Sequence, residues 1–332
     1  MAEISEKIEI MTAGMVVCDI IAADIDRFAN QGEMMFIPDK IQVHVGGHPA
    51  NVAIDLFQMG IPSESLGVIS AIGSDIFGKF IQNSLREKGI KTFLQITEKQ
   101  TAKNIIFVIK NEDRRFHLDP GANLFLEPEF VIDKLKTYTP EYFCFRPGYS
   151  GMDTHISEIL SAISGAIKIF DICRPYNKPW NYFFDSLEMI DIFHSNSHEA
   201  MNITGKTDID SAISSLLSAG VKIVTITDGE KGAILSTDKY HLYQPSYKID
   251  AIDPTGAGDA FCSGLIKYMR DNNLTPDNME LSDLKNMLAY AQAAGACAAS
   301  SVGTTSGVNS EKISELIKNM PVREKTDIQV RL

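Results

Sequence analysis

Basic residues are in short supply in this chain: Lys and Arg total 31 against 43 Asp and Glu, a formal charge of −12 at neutral pH. So acidic a chain lacks the dense cation patch that would neutralise nucleic-acid phosphates or anionic lipid, and points to small molecules or protein as partners. Long apolar runs are missing as well. No stretch of about 18 apolar residues occurs, and the opening "MAEISEKIEI" has no hydrophobic signal core, so neither a membrane span nor export is indicated and the cytoplasm is the expected location. Cysteine is sparse: Cys18, Cys144, Cys173, Cys262 and Cys297 are widely spaced, odd in number and form no CxxC. That argues against a disulfide framework or a zinc ribbon and leaves them as small apolar residues. The remainder is ordinary for a globular protein, with 44 % hydrophobic and 22 % charged residues in a length of 332. It suffices for one large domain with an appendage, or for two.

Short apolar runs alternate with stretches of helical spacing. "IEIMTAGMVVCDI" (8–20), "SLGVIS" (65–70), "EYFCF" (141–145), "AIKIF" (166–170), "MIDIF" (189–193) and "VKIVTIT" (221–227) read as strands, and "PANVAIDLFQMG" (49–60) as a helix. This is the rhythm of βαβ units and predicts a doubly wound, mostly parallel α/β sheet. Residues 20–46 and 101–119 instead alternate apolar and polar positions around "NQGE" and "KNEDRR", which predicts two antiparallel hairpins. They form a small separate sheet, a lid or oligomer contact, or else edge strands of the main sheet. The expected partition is an α/β body of residues 1–19, 47–100 and 120–320, a β lid of 20–46 and 101–119, and an exposed tail, 321–332.

One carboxylate stands out. In "DPTGAGDAF" (253–261), Gly256, Ala257 and Gly258 precede Asp259 where a helix opens. Glycines allow close backbone approach to a ligand, and a helix N-terminus presents unpaired N–H groups, so the loop can act as an anion hole for phosphate. Asp259 is then placed to accept the proton of whatever attacks phosphorus. Taken alone, the nonapeptide also fits an ordinary N-capped helix after a glycine-rich turn. Three near misses narrow the field. "GSDIFGKF" (73–80) has P-loop spacing but Phe80 where a Mg²⁺-binding hydroxyl belongs. "GAGDAF" has Phe261 where a dinucleotide fingerprint needs glycine, which disfavours a nicotinamide-dependent oxidoreductase. His194 and His198 are four apart, but a strand end between them argues against zinc.

"DPTGAGDAFCSGLI" and "GGHPANVAIDLFQMG" (46–60), about 200 residues apart, resemble the C-terminal and N-terminal signatures of the ribokinase-like (PfkB) carbohydrate kinases. "PGAN" (120–123), "NSHE" (196–199) and "TDGEKGA" (227–233) extend the resemblance over essentially the whole chain. It implies a ribokinase-like fold and transfer of the γ-phosphoryl group of ATP to a sugar-like alcohol, with Asp259 as base and Gly256, Ala257 and Gly258 as anion hole. It further implies that Asp19, Gly46, Gly47, Asn51 and Asn123 grip the acceptor, and that Asn196, Thr227, Gly229, Gly256, Gly258 and Gln292 line the ATP site. Asn196 and Glu199 would hold Mg²⁺ largely through water, Asp253 and Thr255 a K⁺ ion, and the lid would pair between subunits of a homodimer.

Departures from the pattern limit the acceptor. Val17 stands where ribokinases carry a sugar-binding asparagine, which disfavours ribose. "FDICRPYNKPW" (170–180) resembles the FDxNxRxxxW stretch of fructokinases and 2-keto-3-deoxygluconate kinases, with the asparagine absent and one residue missing before Arg174. Arg174 is therefore a substrate ligand or a surface arginine. Arg114 and Arg115 either reach an anionic acceptor or solvate a turn. A nucleoside kinase is the alternative within the family, kept open by Phe28, Phe36 and Phe116; a catalytically silent sugar- or nucleotide-binding regulator is the alternative outside enzymes.

Overall fold

A computed structural model describes residues 7–110, 112 and 114–319, together with the backbone of 327–330. The first buried run is two strands rather than one: β1 (Ile10–Gly14) stops and β2 (Val17–Ile25) starts afresh. Gly14 makes the break, with φ +140° and a backbone so close to Arg146 that a Cβ would lie 2.6 Å from its carbonyl oxygen. The chain then leaves the body, so Asp19 belongs to the lid and not to a body segment 1–19.

The lid continues with β3 (Ile41–Gly46), after which α1 (His48–Gln58), β4 (Leu66–Gly73), α2 (Ile76–Glu87) and β5 (Lys91–Thr97) return to the body. The second excursion is β6 (Lys103–Ile109) and β7 (Arg115–Asp119). Four strands in the order β3-β2-β6-β7 form a sheet of their own, separate from the main one. Each excursion is an antiparallel pair, but β2 and β6 join them in parallel, so the lid is mixed rather than wholly antiparallel. Residues 111 and 113, in the turn of the second hairpin, lie outside the described residues.

The body resumes with α3 (Pro128–Tyr138), β8 (Tyr142–Arg146), α4 (Ile156–Ser161), β9 (Ile167–Asp171), β10 (Ile192–Asn196), α5 (Ser197–Thr204), α6 (Ile209–Ser218) and β11 (Ile223–Thr227). Then follow β12 (Ala233–Ser236), β13 (Tyr240–Gln244), α7 (Ala257–Asp271), α8 (Leu281–Ala299), α9 (Ser310–Asn319) and β14 (Asp327–Val330). The main sheet runs β14-β13-β12-β11-β10-β9-β8-β1-β4-β5, parallel from β11 to β5 and antiparallel at the β12–β14 edge. Residues 327–330 of the expected tail are thus an edge strand; 320–326 and 331–332 lie outside the described residues.

The parallel strands are apolar along their length because both faces are covered. One face packs under α1, α2, α7 and α8 through Val52, Leu56, Leu265 and Leu288; the other packs under α3 to α6 around Phe145, Phe170 and Phe193. Phe145 meets Phe170 edge-on at 4.9 Å, and Phe170 stacks on Phe193 at 5.7 Å, a geometry that adds to plain area burial. Among the described residues no helix is long and apolar enough to cross a membrane.

The helix that carries Asp259 is held by close packing of α7 on α8. A Cβ on Gly264 would lie 2.6 Å from Ala291 Cα, whereas one on Gly165 would meet nothing within 4 Å. Gly264→Ala is therefore expected to cost about 1–3 kcal/mol by overpacking, read as a lower melting temperature, while Gly165→Ala leaves the melt nearly unchanged.

Candidate active site

In a doubly wound sheet the C-terminal ends of the parallel strands are left open where strand order reverses, here at β1 between β4 and β8. Beside that point β8 ends on Arg146, β9 on Asp171, and β10 sets His194 in register with Asp171. From the helical face, α1 starts directly after Gly47 and presents His48 and Asn51 one turn apart, and α7 carries Asp259 in its first turn.

These side chains form one buried network. Asp259 Oδ1 lies 2.9 Å from His48 Nδ1 and 2.8 Å from Arg146 Nη2, and its Oδ2 accepts from Asn51 Nδ2 at 2.6 Å. Asp171 shares the same two cations: its Oδ2 is 3.1 Å from His48 Nδ1 and bonds Arg146, while Oδ1 is 3.1 Å from His194 Nδ1. His48 and Arg146 therefore each bridge both carboxylates. An unpaired buried charge costs several kcal/mol, so these cations are what allow two buried carboxylates to stay ionised side by side.

The titration behaviour follows. Burial works against ionisation of Asp259 and Asp171, but Arg146 foremost, with the histidines, outweighs it and holds both below the usual carboxylate range. For His48, burial and Arg146 favour the neutral ring, yet Asp171 and Asp259 prevail and raise it to about 9. His194 rises to about 10 against its burial, with Cys262 and Asp171 as the opposing influences. Asp171, His194 and Cys262, and likewise His48, Asp171 and Asp259, bring ligand-type atoms within 4.8 Å of one another. With a guanidinium already seated on both carboxylates, they form an ion-pair network rather than a metal nest.

At the glycine loop, Gly256 has φ +83°, and a Cβ there would lie 2.1 Å from the Thr304 carbonyl oxygen, so glycine is required. No side chain caps α7, which leaves first-turn N–H groups available to an anion. The Ala257 N–H is turned back onto the Pro254 carbonyl at 3.3 Å, so the opening rests on Gly258 and Asp259 more than the three-residue expectation had it. On the lid side Asp19 is 3 % exposed and accepts from Asn104 Nδ2 at 3.1 Å; burial pushes it up to about 7. Gly46 leaves room for it: a Cβ there would fall 1.8 Å from Asp19 Oδ2.

Asn196 and Thr227 are in register at adjacent strand ends, and Asn196 and Glu199 form a reciprocal capping box at the start of α5. Burial, against the Asn196 N–H bond, moves Glu199 up to about 7. Gly229 opens a short 3₁₀ turn into free space.

Four expected contacts are placed differently. Asn123 is fully buried and spends its amide on Val16, Pro120 and Ser70, which makes it a clasp between the start of the lid and β4. Gln292 is buried with its amide exchanged with Gln244. Arg174 is exposed; the arginine at the carboxylates is Arg146. Asp253 Oδ1 accepts from Thr255 N at 2.9 Å and Oγ1 at 2.5 Å, its Oδ2 accepts from Gly303 N at 3.2 Å, and Arg114 Nη1 lies 3.6 Å from Oδ1. With N–H donors and a guanidinium on its carboxylate, the loop is a poor match for K⁺. His194 and His198 sit on a strand and a helix respectively.

Sequence reading missed His48, Arg146, Asp171 and His194 as site residues. His48 lies inside "GGHPAN", where a polar residue among small ones was a usable signal; the other three sit at or near strand ends that only the fold brings together.

Fold and site define an α/β protein that gathers ionised carboxylates and an uncapped helix start at its switch point, an arrangement suited to phosphoryl chemistry. The model of the pfkB family carbohydrate kinases matches residues 10–311, and the chain belongs to that family. Its members are phosphotransferases with an alcohol group as acceptor. The chain is similar to a protein described as "Probable fructokinase-5" from Arabidopsis thaliana, 28 % identical over 297 residues, 80 % of this chain and 89 % of that protein. It is similar also to a Staphylococcus aureus ribokinase, 26 % identical over 265 residues, 77 % of this chain and 83 % of that protein. An E. coli ribokinase II candidate solved with ATP and Mg²⁺ shares the fold at a TM-score of 0.75 and 23 % identity, covering 94 % of this chain and 99 % of that one.

A histidine whose folded pKa is about 9 against an ordinary 6.5 contributes stability that is complete below pH 6.5 and lost as pH rises through 9. At 1.36 kcal/mol per unit this is on the order of 3 kcal/mol, so melting temperature is expected to fall between pH 7 and 10, and Asp171→Asn to flatten the fall.

Proposed function

We propose that the chain transfers the γ-phosphoryl group of ATP to a hydroxyl of a sugar or sugar acid, fructose and 2-keto-3-deoxygluconate being the classes in view. The observation that carries this is Asp259, an ionised buried carboxylate in the first turn of an uncapped helix at the sheet's switch point. Its Oδ2 takes the proton of the acceptor hydroxyl as that oxygen bonds to the γ-phosphorus; the bond from phosphorus to the β,γ-bridging oxygen breaks, and ADP leaves. The Gly256–Gly258 turn and the first-turn N–H groups of α7 receive the transferring charge.

Asp19 and Asn51, with Gly46 and Gly47 keeping the backbone close, hold acceptor hydroxyls, and the lid excludes water that would otherwise take the phosphoryl group. Asn196, Thr227 and Gly229 lie on the nucleotide side. Asn196 and Glu199 offer the hard oxygen donors that suit Mg²⁺ held through water, and a fold neighbour is solved with ATP and Mg²⁺. When bound, the ion supplies neutralisation of phosphate charge. The nucleoside alternative has less support: Phe28 is engaged edge-on with Phe107 at 5.1 Å, with Arg115 over its ring. The silent-regulator alternative has against it an intact Asp259 and glycine loop.

The test is Asp259→Asn, which keeps shape and removes basicity. ADP release with the acceptor is expected to fall by about 10²–10⁴-fold while ATP binding by calorimetry persists; a variant retaining turnover would refute the assignment. One face of the lid sheet exposes Ile41, Val43 and Ile105, an apolar surface suited to a second copy of this lid. A solution mass of twice the chain is expected, falling to that of the monomer in Val43→Asp.

A further inference from the structure

We propose that His48 is a positioning residue for the transfer base: seated between Asp171 and Asp259, its imidazolium fixes which oxygen of Asp259 meets the acceptor. The inference rests on the reading of Asp259 as that base. The two oxygens of Asp259 are not equivalent. Oδ1 faces two cations, His48 Nδ1 at 2.9 Å and Arg146 Nη2 at 2.8 Å, whereas Oδ2 has a neutral amide donor, Asn51 Nδ2, at 2.6 Å. A lone pair facing two positive charges is stabilised and poorly basic, so basicity is left on Oδ2. Asn51 Oδ1 is buried without a partner and can accept from a second hydroxyl of the acceptor, while the reacting hydroxyl gives its proton to Oδ2.

His48 differs from Arg146 in being able to lose its charge. The groups that face it are Cys144 and Arg146 from β8, Asp171 from β9, Asp259 from α7, and Asp55 from its own helix. Cys144 Sγ lies 3.2 Å from His48 Nε2 and takes the second N–H of the imidazolium as a weak acceptor. Asp55 is wholly buried with both carboxyl oxygens unpartnered, and burial foremost, then the Asp259 charge, holds it well above the usual range, hence neutral. Anions thus retain His48 as a cation from the Asp171 and Asp259 side alone. Loss of that charge leaves Oδ1 held by Arg146 alone and weakens the bias between the two oxygens.

The experiment follows kcat and KM from about pH 6 to about pH 10.5 in wild type and His48→Gln, with folding checked by thermal melt. Wild-type kcat is expected to fall through a midpoint near 9. His48→Gln should lower kcat by about tenfold or more at pH 7, leave KM for ATP within about threefold, and abolish the alkaline limb. A wild-type profile level to the upper limit overturns the proposal, as does a folded His48→Gln enzyme that keeps both kcat and limb. If the variant does not fold, nitrogen-15 NMR of the wild-type histidines decides: His48 must titrate with the midpoint of kcat, and a His48 that titrates elsewhere overturns the proposal. Persistent turnover in Asp259→Asn would instead remove the base assignment and leave the His48 measurements intact.

Discussion

Two carboxylates that should repel each other, Asp171 at the end of β9 and Asp259 at the start of α7, share Arg146 and His48, and the site depends on that sharing. Without the cations, burial would protonate one carboxyl or force it out to water. With them, a charged carboxylate is kept dry at the edge of the sheet, where the function we propose needs its base. The arrangement joins elements far apart in sequence: β8 and β9 supply one rim, α1 the second and α7 the third. Its geometry is therefore only as good as the packing of α1 and α7 on the sheet.

The lid is governed by the same economy of buried charge. Asp19 stands on β2 beside Asn104 of β6, and both strands leave the body at turns where backbone runs close to backbone. Gly14 releases β2, and Asn123 ties Val16 to Ser70 at the lid's root. Lid position and sheet position are thereby coupled through Asn123 and Ser70, whose hydrogen bonds are costly to disturb because each leaves a buried partner unpaired.

Much of this was legible in the sequence because it is local. The glycine loop before Asp259, the alternation of apolar runs, and the hairpin character of 20–46 and 101–119 all depend on near neighbours. What was not legible depends on the fold. A continuous apolar run from 8 to 20 conceals the change of sheet at Gly14, since both sheets bury apolar residues. The edge strand at 327–330 lies in "DIQVRL" (327–332), a polar–apolar alternation so short that it passes for an exposed tail until β13 supplies its partner. Arg146 ends a strand like any boundary arginine, and only the parallel order β8-β9-β10 turns it toward Asp171. Arg174, the arginine that a short motif singled out, is exposed in the loop after β9.

The function we propose is that the ionised Asp259 and the uncapped start of α7 serve phosphoryl transfer to a sugar-class hydroxyl. It is tested most directly by ADP release from Mg·ATP across pentoses, hexoses, sugar acids and nucleosides, each product checked for the new phosphate ester. Turnover confined to a sugar or sugar acid is the predicted result. Turnover confined to nucleosides, or none with any acceptor while ATP still binds, would contradict the account.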